Sequence, residues 1–340
     1  MKAIFMIGEQ RSGSNLLRLM LEQHPRITAP HPPHILQRMM PLLSVYGDLG
    51  SKSAFSQLIE DVCELIHRNP VPWDAVELDE EEVFRRCRER SLVAVYGAVM
   101  DLYAEVEMAD HWVCKSMQNV RWINHLEHYF DEPLYIYLYR DPRDVCLSFT
   151  KAVVGEKHPY FIAKKWEELQ QLCLAARDKI GEKRFFAISY ESLVADPVTE
   201  LRNLMDFLSL DYHPDQQQFY HSRAAWEAAH ASKLWENVEK PIMRSRVGQY
   251  RKGLSFDQIH IIESVAGETM RLLGYKPEVI SISPPLDFTP ELVHQYDQIN
   301  KELKHEVLMR CEPEDLARRS YQQALLEEIS ERLPSRGGRL

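Results

Sequence analysis

Five apolar residues, Ala3-Ile4-Phe5-Met6-Ile7, run directly into Gly8-Glu9-Gln10-Arg11-Ser12-Gly13-Ser14-Asn15 and then into Leu16-Leu17-Arg18-Leu19-Met20-Leu21. A short buried strand, a loop of small residues and a helix form the arrangement in which backbone N–H groups and a helix N-terminus converge on a phosphate. This stretch therefore predicts a strand-loop-helix unit that holds a nucleotide or another phosphate ligand. A turn with Gly13 at positive φ and Ser14 as a helix cap would use the same residues.

The spacing from Gly8 to Gly13 fits the first half of the nucleotide triphosphatase loop G-x-x-x-x-G-K-[ST], but Ser14 and Asn15 follow. The absent lysine would reach the outer phosphates, and the absent hydroxyl would hold magnesium. Arg11 lies inside the loop instead, so the expected ligand is an anion other than a magnesium triphosphate.

Strands and helices alternate along the chain. Trp112-Val113-Cys114, Pro133 to Tyr139 and Arg184 to Ile188 read as further buried strands. Helical periodicity runs from Leu16 to His24-Pro25, through Phe55, Leu58, Ile59, Val62, Leu65 and Ile66, across 80–108, and near 119–129, 142–152 and 160–180. The pattern predicts an α/β fold with a central parallel sheet flanked by helices, its ligand beyond the carboxyl ends of the strands. Four prolines between Pro277 and Pro290 read as a linker, giving a domain over 1–276, a Pro-rich linker over 277–290 and a helical C-terminal extension over 291–340. Leu292, Tyr296, Ile299 and Leu303, then Tyr321, Leu325 and Ile329, mark two amphipathic helices expected to dock on the main domain or on a second copy as a homodimer.

The net charge of −10 over 340 residues argues against nucleic acid or anionic membranes as partners, which confines any anion site to a local cleft. The six cysteines are widely spaced and lack a C-x-x-C pair, as expected of reduced thiols in a cytoplasmic protein. No apolar run approaches the ~18 residues of a membrane span, and no signal peptide is read at the N-terminus.

Directly after the 133–139 strand comes Arg140-Asp141-Pro142-Arg143-Asp144-Val145-Cys146-Leu147-Ser148. Arg140 falls at the strand's carboxyl end and Ser148 about two turns into a helix that Pro142 opens. Taken alone, the charges also read as surface pairs. Together with the 8–21 loop, they make the chain resemble the 3′-phosphoadenosine 5′-phosphosulfate-dependent sulfotransferases, a P-loop-like nucleotide-binding fold. That family carries [KR]-[ST]-G-[ST]-[ST] after its first strand for the 5′-phosphosulfate, and an arginine with a serine eight residues on for the 3′-phosphate. The matching residues are Arg11, Ser12, Gly13, Ser14 and Asn15, then Arg140 and Ser148. The arginine form of the loop and His24-Pro25 are more similar to the tyrosylprotein, carbohydrate and bacterial branches than to the phenol enzymes.

Tyr190-Glu191-Ser192-Leu193 resembles the family's Y-E-x-L segment, whose tyrosine lies near adenine, and Arg244 to Gly253 resembles its closing loop, which would bring Arg251, Lys252 and Gly253 to the cofactor. The resemblance implies sulfuryl transfer to a hydroxyl or amine, with Arg11 on the leaving phosphate, Lys115 near the transferring group and no metal. A small metabolite is favoured as acceptor, and segments 35–110 and 212–240 are expected to line its pocket. The chain departs from its relatives at the base: Met117 stands where the phenol enzymes have histidine, and Pro32 where the tyrosylprotein branch has glutamate. His31 and His34 are the candidates, since neutral imidazole is a suitable base near pH 7. The rival readings are a small-molecule kinase with a degenerate loop and a non-catalytic nucleotide-binding scaffold.

Overall fold

The computed structural model describes residues 1–332. The last residues of the expected extension, 333–340, lie outside the described residues. In chain order come β1 (Lys2–Gly8), α1 (Ser14–Glu22), β2 (Ile27–Thr28), α2 (Ile35–Met39), α3 (Lys52–His67), α4 (Glu80–Arg86), α5 (Leu92–Val106), β3 (His111–Cys114), α6 (Ile123–Tyr129) and β4 (Leu134–Tyr139). They are followed by α7 (Pro142–Phe149), α8 (Pro159–Ile180), β5 (Phe185–Ser189), α9 (Tyr190–Ala195), α10 (Pro197–Leu208), α11 (Arg223–Ala231), α12 (Tyr250–Gly253), α13 (Phe256–Leu272), α14 (Pro290–Met309) and α15 (Pro313–Glu331).

The five strands form one sheet in the order β2-β3-β1-β4-β5, and each neighbouring pair is parallel. Alternate residues of β1 enter opposite faces: Ala3, Phe5 and Ile7 pack with α3 and α5, while Ile4 and Met6 pack with α1 and α10. A strand covered on both sides has no polar face to show, which is why β1 and β4 read as continuous apolar runs. β2 is the edge strand and only two residues long, too short to carry a period of its own. The single helical pattern over 80–108 is two helices, broken where Ser91 caps α5 by accepting from Ala94 N at 3.1 Å.

The charged run after β4 does not lie on the surface. Arg143 is buried and donates to both Asp141 oxygens (Nε to Oδ1 3.0 Å, Nη2 to Oδ2 2.7 Å) and to Glu263 Oε1 (2.7 Å), with its guanidinium 4.2 Å from the Tyr250 ring centroid. Glu263, wholly buried on α13, also accepts from the backbone N–H of Glu278, Val279 and Ile280. The start of the Pro-rich 277–290 stretch is thus fastened to the core, and Val279 is buried there.

The extension returns to the main domain. Leu325 and Ile329 of α15 are buried in the same cluster as α3, and Gln322 donates to Leu65 O at 2.7 Å. Of the two stripes expected to dock on the main domain or on a second copy, Leu325 and Ile329 of α15 dock on the domain, while Ile299 and Tyr321 are exposed. α14 is anchored through Asn300, whose Oδ1 accepts from the N–H of Lys157 and His158, and through Tyr296 stacked on His158 at 4.1 Å.

Replacing Glu263 takes one of two hydrogen-bonded carboxylates from buried Arg143 and strands three N–H groups at once. Glu263→Ala is expected to lose about 3–5 kcal/mol of unfolding free energy in urea titration, and Glu263→Gln distinctly less. An effect below about 1 kcal/mol for the alanine variant would contradict this account.

Candidate active site

Every strand releases a residue toward one cleft just beyond its carboxyl end. β1 leads to the Arg11 loop, β2 to His31, β3 to Lys115, β4 to Arg140 and β5 to Tyr190, and all of these line a cavity of about 420 Å³. The crevice lies where open parallel sheets place ligands.

The loop is built from two positive-φ residues, Arg11 (67°) and Gly13 (91°). Gly13 is required twice over: a Cβ there would lie 2.4 Å from Tyr190 Cδ2, and its φ is in the left-handed region. Gly13 precedes α1, so the first N–H groups of that helix open toward the cleft. Ser12 is buried with its Oγ unpartnered.

Arg11 and the β4 arginine are interlocked. Arg11 Nε donates to Ser148 Oγ at 3.0 Å, and Arg140 Nη1 donates to Arg11 O at 3.3 Å. Arg140 also donates to Arg246 O at 2.6 Å, and its guanidinium lies 4.2 Å from the Tyr190 ring centroid. Trp166 Nε1 holds the Arg140 carbonyl at 3.1 Å. Burial, then Arg140 and Arg319, lower the Arg11 pKa to about 10. Arg140 Nε is buried without a partner.

Lys115 is buried and donates to Asn15 Oδ1 at 2.6 Å. The charge that a triphosphatase loop carries in its own lysine thus reaches the helix N-terminus from β3. Burial, reinforced by Arg18 and Arg11, lowers the Lys115 pKa to about 7. His31 and His34 both border the cleft, and burial pushes both well below the usual imidazole range. The His31 carbonyl accepts from Trp73 Nε1 (2.8 Å) and Asn69 Nδ2 (3.0 Å), and its ring meets Trp235 edge-on at 4.5 Å. Asn69 spends its two amide hydrogens on the carbonyls of His31 and Val71, so its 3.4 Å approach to His31 Nδ1 carries no hydrogen. His31 Nε2 and His34 Nδ1 are buried without partners, and His34 adopts φ 58° at the start of α2.

The closing segment hangs on Asp144, which accepts from Gly248 N (2.7 Å) and Tyr250 N (2.9 Å). Lys252 and Gly253 line an adjoining groove that shares Arg11, Arg140 and Ser148 with the main cleft. Arg251 borders neither: it pairs with Glu278 and stacks on Tyr250 at 4.7 Å, and Arg246 supplies the cation at the cleft instead. Glu191, read only as part of a motif, accepts from Asp141 N (3.2 Å) and Tyr275 Oη (2.8 Å), which fixes β5's end to β4's. Of segment 35–110, only Gln37 and Arg38 line the cleft, whereas Phe219, Leu234, Trp235, Asn237, Val238 and Lys240 line it from the 212–240 side. Sequence reading missed Arg38, Lys165 and Arg319, which are separate from the motifs and reach the cleft only through tertiary packing, and passed over Arg246, which lies in the closing loop but was not singled out there. Eight lysines and arginines line the cavity and no Asp or Glu does, so the cleft is locally cationic in an acidic chain. Among the described residues there is no cluster of three or more metal-ligating side chains, and no helix is long and apolar enough to cross a membrane.

A strand-end anion cleft with this loop defines a class, and the chain belongs to it: the profile of the Sulfotransferase family matches residues 3–214. Protein-tyrosine sulfotransferase A of Caenorhabditis elegans is 21% identical over 292 residues, covering 83% of this chain and 68% of that protein. Carbohydrate sulfotransferase 4 of Mus musculus is 24% identical over 161 residues, 41% of each chain. The solved sulfotransferase domain from the curacin biosynthetic pathway superposes with a TM-score of 0.54 at 22% identity, covering 82% of this chain and 99% of that one. The sulfotransferase domain from the Synechococcus PCC 7002 olefin synthase gives 0.52 at 22% identity, covering 78% and 94%. At this identity the structural likeness is one of fold.

Gly13→Ala must move either the Tyr190 ring or the loop. It is expected to weaken binding of adenosine 3′,5′-bisphosphate at least tenfold in calorimetry while the far-ultraviolet circular dichroism stays that of the parent. Unchanged affinity would mean that the loop does not contact the ligand.

Proposed function

We propose that the protein transfers a sulfuryl group from 3′-phosphoadenosine 5′-phosphosulfate to a hydroxyl or amine of a small acceptor. The observation that carries this reading is the interlock of Arg11, Ser148 and Arg140 beside the N-terminus of α1, in a cleft without carboxylates. The residues suit such a cofactor: Ser12 Oγ and Arg140 Nε are buried polar atoms without protein partners, and the Arg140 guanidinium is stacked over the Tyr190 ring. When bound, the cofactor would supply the activated sulfuryl group and leave as adenosine 3′,5′-bisphosphate. Arg11, Ser12, Gly13, Ser14 and Asn15 would hold its 5′ end, and Arg140 and Ser148 its 3′-phosphate. Tyr190 lies on the nucleoside side, with Lys252 and Gly253 at the margin and Arg251 held outside by Glu278.

Little covalent work falls to the protein in such a transfer; it aligns the groups and offsets charge on the leaving oxygen. Arg11 and Lys115 are the cations available for that charge. The acceptor's proton needs a base, and the neutrality of His31 and His34 supports them for this role. After burial, the largest influence on His31 is Lys115 and on His34 is Arg38, which favours His31 on the transfer side and His34 toward the acceptor. No observation favours a kinase, since Asn15 stands where magnesium would need a hydroxyl and is taken by Lys115.

Labelled cofactor incubated with an acceptor library should yield sulfated product, and Arg140→Ala should abolish it with loss of bisphosphate affinity. Ligand stabilisation without transfer to any acceptor would favour a scaffold. His31→Ala should reduce turnover by ~10²-fold or more, and His34→Ala by less, with bisphosphate affinity retained in both. Near-normal rates in both variants would remove the histidines from the mechanism.

Lys115 gives a pH prediction. Its amine is charged below about 7 and must be charged to meet an anion, so binding above that pH takes up a proton and weakens by up to ~tenfold per unit. Calorimetry of the bisphosphate at pH 8 in two buffers of different ionisation enthalpy should show this uptake, and Lys115→Met should abolish it. Equal uptake by both proteins would contradict the assignment.

A further inference from the structure

The cofactor reading uses Arg11, Lys115 and Arg140 and leaves two arginines of the cleft without work. Arg38 comes from α2, and Arg319 from α15 of the C-terminal extension. Arg319 is partly engaged: Nε meets Asp315 Oδ1 at 2.8 Å, and Nη2 donates to Ser232 Oγ at 3.0 Å. Its guanidinium lies 5.7 Å from the Trp235 ring centroid, which leaves Nη1 uncommitted. Arg38 makes no hydrogen bond or ion pair among the described residues and is half-buried on the cleft wall, where partial burial and the nearby Arg319 lower its pKa to about 10. A half-buried guanidinium with no protein acceptor, open to the cleft, is free to pair with an oxyanion that enters it.

The surroundings point the same way. His34 Nδ1 and Gln37 Oε1, on the same short segment as Arg38, are buried without partners. Both residues line the cleft. Facing them is an apolar wall that includes Leu234, Trp235, Val238 and Ile242. An arginine pair beside an aromatic and aliphatic wall fits a molecule with an apolar body and an oxyanion.

We propose that Arg38 and Arg319 form an acceptor subsite for an oxyanion, so that the acceptor is a hydroxylated or aminated molecule with an apolar body and a carboxylate or phosphate group. This rests on the sulfotransferase reading. The extension is then part of the acceptor site: α15 is held against the domain by Leu325 and Ile329, and that packing sets Arg319 over the cleft. Charged hydrogen bonds to such a group contribute specificity as well as affinity, because the neutral analogue leaves the arginine pair without its charged acceptor.

The test uses the full chain with labelled cofactor. The acceptors are 3-(4-hydroxyphenyl)propionate and 3-hydroxydecanoate, their methyl esters, and 4-hydroxybenzylphosphonate. Binding of each to the bisphosphate-loaded protein is read in parallel from tryptophan fluorescence. The acids or the phosphonate should bind and react in preference to the esters; a preference for carboxylate over phosphonate, or the reverse, identifies the oxyanion. Arg38→Met should raise KM for the acids about tenfold or more, leave KM for the esters unchanged and keep bisphosphate affinity at the parent value, with Arg38→Lys recovering part of the loss. Arg319→Met should act in the same direction.

Esters that match or exceed the acids would overturn the proposal, as would an equal effect of Arg38→Met on both sets or failure of every probe to bind. A parallel loss of bisphosphate affinity in Arg38→Met and Arg38→Lys would assign Arg38 to the cofactor and overturn it too. Failure of the parent protein to bind the bisphosphate would instead remove the sulfotransferase reading on which the subsite depends.

Discussion

Arg11, Arg140 and Lys115 are gathered in one cleft with no carboxylate on its walls, and this concentration of like charge is the constraint around which the rest of the structure is arranged. Like charges brought together out of water repel, and each loses hydration. What holds them is a set of neutral acceptors and rings: Ser148 Oγ under Arg11, the carbonyls of Arg11 and Arg246 under Arg140, Tyr190 across its face and Asn15 Oδ1 at Lys115. Neutral partners orient a cation without cancelling it. Asp144 lies 3.5 Å from Arg140, and it also accepts from the N–H groups of Gly248 and Tyr250.

The neighbouring arginine shows the opposite treatment. Arg143, three residues after Arg140, is saturated by Asp141 and Glu263 and shielded by Tyr250, so its charge serves cohesion. It ties the end of β4 to α13 and, through Glu263, to the segment at 278–280. One charged run thus divides into a structural arginine turned inward and one turned to the cleft and held mainly by carbonyls.

Much of this was legible in the sequence because it is local. The strand-loop-helix of β1 and α1, the parallel α/β arrangement and the position of Arg140 and Ser148 past β4 all follow from contiguous residues with clear periodicity. The positive φ of Gly13 was also readable, although its second reason, the Tyr190 ring beneath it, joins residues far apart in the chain. What could not be read is what depends on packing. β2 is too short to show a pattern, and the fastening of the Pro-rich stretch depends on a glutamate on α13. Arg38 and Arg319 belong to no motif and meet only because α15 folds back over α3. Arg251 looked like the cofactor's cation from its place in the closing loop, but Glu278 turns it away and leaves Arg246 at the cleft.

The unbalanced charge also bears on when the base would work under the proposed mechanism. In the ligand-free cleft, burial and the field of Lys115 hold His31 far below its ordinary pKa, so its imidazole is neutral but weakly basic. An anion seated between Arg11, Lys115 and Arg140 offsets that field. Its charge would raise the pKa of Lys115 and keep the amine protonated, and would raise that of His31 as well, strengthening it as a proton acceptor. The same electrostatics that draw the cofactor in would therefore make the base competent only once the cofactor is seated, so that an acceptor arriving first meets an imidazole too weak to take its proton. The order of events would then follow from the absence of carboxylates in the cleft, with no moving part required to enforce it.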